Sequence, residues 1–135
     1  MRKKCRRKVW ALVDPVSYAI DGAAITPRKD LDKLLARELG ALDAFTRGRA
    51  RMAEWQELVA MVNVTETICN AGIGPEALPS VKAAEAALVD AARRYQETGR
   101  MGLTGEGIKA IRDVIEYHDL QRSSISRSEY ERLIR

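Results

Sequence analysis

Histidine occurs once in this chain of 135 residues, phenylalanine once and cysteine twice, and aromatic residues make up only 5%. Each scarcity removes a class of function. A single histidine offers no compelling Ser/His/Asp or Cys/His arrangement for nucleophilic catalysis. Two cysteines with no CxxC pair and no Cys/His cluster supply neither a zinc site nor a dithiol motif. Cys5 and Cys69 read as unpaired thiols, which agrees with a reducing compartment. No run approaches the roughly 20 apolar residues of a membrane span. There is no convincing strand pattern and no internal repeat.

What the chain has is aliphatic and charged. The hydrophobic fraction is 46% and the charged fraction 31%, as in soluble globular proteins. A length of 135 residues suggests one domain with a core large enough to need no staples. The net charge of +4 is unevenly placed. Arg2, Lys3, Lys4, Arg6, Arg7 and Lys8 take six of the 23 cationic residues, which leaves 17 against 19 acidic ones. The body from residue 10 to 135 is therefore nearly neutral, and the basicity belongs to an arm over residues 1–9. Such an arm suggests a local electrostatic contact rather than a broad basic face.

The arm does not read as a secretory signal. An apolar region of about 7–15 residues should follow the basic one, but VWALV ends at Asp14 after five residues. A cytoplasmic protein is expected, with no membrane contact.

Turn and cap chemistry divides the body into helices. Asp14-Pro15 opens a short one to about Ala24, and Thr26-Pro27 opens the next. There Leu31, Leu34, Leu35, Leu39, Leu42 and Phe45 form one apolar stripe, with Gly40 available for a close helix contact. The following helix, about Ala50 to Asn70, is apolar on most sides and is expected at the centre. Gly72 and Pro75 separate it from a helix over about 75–97, which carries Leu78, Val81, Ala84, Leu88, Ala91, Ala92 and Tyr95 and stops at Gly99. Thr104 caps a helix from about Gly105 to Gln121 that aligns Ile108, Ile111, Ile115 and His118. Ser126 to Glu129 is a capping box for a last short helix. The expected fold is all-α, an antiparallel bundle of about four main helices with short terminal ones.

Few residues suggest chemistry. GLTGEG precedes a helix, but it lacks a following Lys-Ser/Thr and a preceding strand, so it reads as a capped turn rather than a phosphate cradle. Glu116 and His118 diverge by about 200° on a helix and cannot cooperate. His118 is expected at the core edge with a hydrogen-bond partner. No catalytic residue, metal ligand or cofactor is assigned. Trp55 is expected to pack on the core, and Trp10 likewise, although either could stack on a base.

Arg47, Arg49 and Arg51 form a second cationic cluster around Gly48. They are either a solvated junction balanced by Glu54 and Glu57 or a phosphate contact acting with Arg2, Lys3, Lys4, Arg6, Arg7 and Lys8. The arm itself has three readings: contact with nucleic acid, contact with an acidic protein partner, or a plain solubilising tail.

The stretch GLTGEGIKAIRDVIEYHDLQRSSISRSEYERLI, about a quarter of the chain, resembles the C-terminal part of small uncharacterised phage and prophage proteins of proteobacteria. The resemblance implies a binding job: gene regulation, assistance to DNA processes, or inhibition of host factors. The expected function is a nucleic-acid-associated accessory or regulatory protein that uses its basic arm. The alternative is a protein-binding inhibitor or adaptor acting on a host factor, for example a counter-defence protein of the anti-CRISPR kind. Either could form a homodimer.

Overall fold

Glycine or proline stands at three of the four breaks between the five α-helices found among residues 25–134, which the computed structural model describes. The basic arm, Cys5, Trp10 and the helix expected over 15–24 lie outside the described residues. Helix α1 is Arg28–Thr46, α2 Met52–Asn70, α3 Leu78–Thr98, α4 Gly105–Ser124 and α5 Arg127–Leu133. A 3-10 turn, Pro75–Ala77, leads into α3.

The starts and stops follow from local chemistry. Thr104 Oγ1 accepts from the Gly107 amide at 3.0 Å, and Ser126 Oγ from the Glu129 amide at 3.2 Å. Each satisfies a donor that its helix leaves open. Gly99 closes α3 with φ of 75°, a left-handed conformation that costs glycine little.

Short connections reverse the chain between neighbours. α1 packs on α2, α2 on α3, α3 on α4 and α4 on α1, and α4 also meets α2 across the diagonal. The expected all-α bundle is therefore present, with α2 and α4 as its central pair. Ala41, Leu42, Phe45, Leu58, Met61, Val62, Val81, Ala84, Leu88, Ile111, Val114 and Ile115 form the core. Trp55 packs against this cluster and donates from Nε1 to the Leu88 carbonyl at 2.9 Å. The isolated antiparallel bridge Ile25–Ser126 holds the start of the described chain against the α4–α5 junction.

Two expectations for α1 are corrected. Leu34 and Leu39 are 39% and 40% exposed, whereas Glu38 is buried. The inward register runs through Leu31, Leu35, Glu38, Leu42 and Phe45, at alternating four- and three-residue steps. A carboxylate takes a place that hydrophobicity alone assigns to leucine. Gly40 makes no close helix contact, since a Cβ there would meet nothing within 4 Å.

Candidate nucleic-acid interface

At one end of the bundle the α1–α2 and α3–α4 connections come together. An up-and-down arrangement puts these two connections at the same end. Between them is an open cleft of about 900 Å³ lined by Gly48, Ala50, Arg94, Thr98, Gly99, Arg100, Met101 and Gly102.

The first connection is built by backbone bonds. Arg47 N–H donates to the Asp43 carbonyl at 2.9 Å and Arg49 N–H to the Ala44 carbonyl at 2.8 Å, while Gly48 takes φ of 70°. This fixes residues 47–51 as a tight turn with all three arginines exposed. Gly48 and Ala50 line the cleft, and the arginines on either side of them do not. Arg47 is paired with Asp43 at 2.8 Å. The expected balance by Glu54 and Glu57 is not made through guanidinium pairs. Glu54 accepts from the backbone N–H of Arg51 at 2.7 Å, and Glu57 pairs with Arg37 at 3.3 Å.

The second connection adds two cations that the sequence reading did not single out. Arg94 donates to the Gly102 carbonyl at 3.0 Å and lies 3.4 Å from Asp90, so it braces the loop. Arg100 is exposed beside it. Among the described residues, the guanidinium groups of Arg49, Arg51 and Arg100 make no ion pair. The clue was available: loops one and three of an up-and-down bundle share an end, and both carry arginine beside glycine.

The other chemical candidates are structural in this geometry. GLTGEG is a capped turn, and the space above Gly107 is filled by Ala87, whose Cβ would be 2.9 Å from an added Cβ. His118 is 1% exposed. Its Nδ1–H donates to Gln121 Oε1 at 3.1 Å, and Nε2 accepts from the Tyr130 hydroxyl at 3.4 Å. The tautomer follows from Gln121, whose Nε2 donates to the Ile73 carbonyl at 3.0 Å and so turns its oxygen to the histidine. Burial, helped by the positive charge of Arg122, pushes the imidazole pKa down to about 4. Cys69 is buried, and burial pushes its thiol up. Among the described residues no three His, Cys, Asp or Glu side chains are grouped to hold a metal ion, and no helix is long and apolar enough to cross a membrane.

No protein-family model, no curated protein and no solved structure matches the chain.

Proposed function

We propose that the protein is a small nucleic-acid-associated accessory or regulatory protein, of the phage type that its C-terminal quarter resembles. It holds a phosphate backbone against the end of the bundle where the two arginine-bearing connections meet. One observation carries this reading: Arg100 lines the cleft, Arg49 and Arg51 are exposed in the turn whose Gly48 and Ala50 line its other side, and the guanidinium groups of all three make no ion pair among the described residues. Guanidinium groups suit phosphate oxygens because their planar donor fork matches them. The basic arm, Arg2 to Lys8, supplies further cations to the same backbone. Such contacts position nucleic acid without reading its sequence.

The test is fluorescence-anisotropy binding to a short DNA duplex and to a single strand across a salt series. Three proteins are compared: the full chain, Arg49→Glu/Arg51→Glu/Arg100→Glu, and a variant with Arg2, Lys3, Arg6 and Arg7 changed to Glu. Binding that weakens steeply with salt and is lost in both variants supports the reading. No binding by the full chain at low salt discards it. The protein-binding inhibitor or adaptor then becomes the working reading, to be pursued by recovery of a defined host partner.

A further inference from the structure

A second feature lies at the opposite end of α1. Leu31 and Leu34 of α1, Ile125 of the α4–α5 junction, and Tyr130 and Ile134 at α5 surround an apolar groove of about 320 Å³. Leu34 and Ile134 are 39% and 41% exposed there. At about 30 Å³ per liquid water the groove holds roughly ten waters. A short stripe of apolar side chains would displace them; a whole domain is not required.

We infer that this groove is the docking site for the chain's own residues 9–24. Three observations converge on that occupant. The first is connectivity. Thr26 and Ser126 both line the groove, and Ile25 is bridged to Ser126, so residue 24 leaves from its edge. The second is direction. The bridge is antiparallel, so Ile25 is entered from the side on which Ser126 leads into α5, the element that carries Tyr130 and Ile134 to the groove. The third is composition. Val16, Ala19, Ile20 and Ala23 recur at the i, i+3, i+4, i+7 spacing of an apolar helical stripe, and VWALV precedes them. Polar residues Ser17 and Asp21 fall off that stripe.

Tethering decides between this segment and a second copy. A segment joined to the groove's own edge is present at an effective concentration on the order of millimolar. A second molecule at ordinary concentrations competes poorly with it. The inference does not depend on the nucleic-acid reading, because the groove and the arginine-bearing cleft lie at opposite ends of α1.

The experiment uses the full chain with a nitroxide at position 17, introduced as Ser17→Cys on a Cys5→Ser background. Cys69, 2% exposed, remains unlabelled. Methyl NMR then reads paramagnetic broadening. The methyls of Leu34, Ile125 and Ile134 are expected to lose most of their intensity, while those of Met101 and Leu103 at the far end keep theirs. Adding Ile134→Lys should restore the Leu34 and Ile125 signals, with Ile111 and Val114 shifts unchanged to report an intact core. Equal intensities at both ends overturn the proposal, as does broadening that survives Ile134→Lys. A mixture of isotope-labelled chains without nitroxide and unlabelled chains with it covers the remaining occupant. Groove broadening in that mixture assigns the groove to a second copy and also overturns the proposal.

Discussion

Glu38 and Arg122 face each other between α1 and α4 with both carboxylate oxygens on both terminal guanidinium nitrogens, at 2.7 and 2.8 Å. The side chains are 7% and 4% exposed, so water shields neither charge. Burial pushes the Glu38 carboxyl above its ordinary range, and the guanidinium pulls against that shift without cancelling it. Removing either partner strips a buried charge of its bidentate counter-ion, although Asp119 stays 4.0 Å from Arg122. Glu38→Ala or Arg122→Ala should therefore destabilise the bundle by roughly 3–5 kcal/mol in denaturant unfolding. The double variant Glu38→Leu/Arg122→Met should lie within about 1 kcal/mol of the parent or above it, because apolar packing replaces both costs at once.

His118 gives the protein an acid-sensitive component. Its pKa falls from 6.5 to about 4 on folding. Between those values the unfolded chain binds the proton that the folded one refuses. The stability it contributes is thus complete above about pH 6.5 and is lost as pH falls towards about 4, by up to roughly 3 kcal/mol. Glu38 acts in the opposite sense. Its raised pKa makes the folded state the better proton acceptor above the ordinary value of 4.5, so its contribution declines as pH rises through the folded pKa. The net loss on acidification should be smaller than His118 alone gives. Urea unfolding over this range should show the slope flatten or reverse sign in His118→Leu.

Two glycines should respond to alanine in opposite directions. Gly40 lies in α1 with open space above it, so Gly40→Ala should raise stability by about 0.5–1 kcal/mol through helix propensity. Gly107 lies in α4, where a Cβ would meet the Ala87 Cβ at 2.9 Å and Thr104 Oγ1 at 3.3 Å. Gly107→Ala should force α3 and α4 apart and lower stability by roughly 1–3 kcal/mol. Thermal melting of the two variants separates the cases.

Single arginine removals sharpen the functional test. If Arg49, Arg51 and Arg100 each contact one phosphate, each change to Ala should reduce the slope of log K against log salt on duplex DNA by about 0.9. The melting temperature should stay near that of the parent, because none of the three guanidinium groups has an ion pair to lose among the described residues. Arg47→Ala should have a smaller effect on the slope, since Asp43 already neutralises much of its charge.

The features legible in the sequence are those whose causes are local. Thr104, Ser126 and Gly99 mark helix ends through bonds that span a few residues, and their positions were readable directly. The burial of Val81, Ala84, Leu88, Ile111 and Ile115 follows from helical spacing. Glu38 was not legible, because the group that lets it be buried stands 84 residues away. Without Arg122 in view, the outward-facing Leu34 and Leu39 looked like better core residues. Arg94 and Arg100 escaped notice for a similar reason. Their nearness to Gly48 and Ala50 is a property of the bundle's order and not of either stretch alone.

The diagonal position of α4 also sets a timetable for synthesis. α4 packs on α1, α2 and α3, so the first three helices leave the ribosome without the element that closes their core. The carboxylate of Glu38 then waits 84 residues for its guanidinium. At 5–20 residues per second that wait is roughly 4–17 s. Through that interval α1 has α2 to pack on, but the buried place of Glu38 has no guanidinium to complete it. The bundle completes only once α4 has been made.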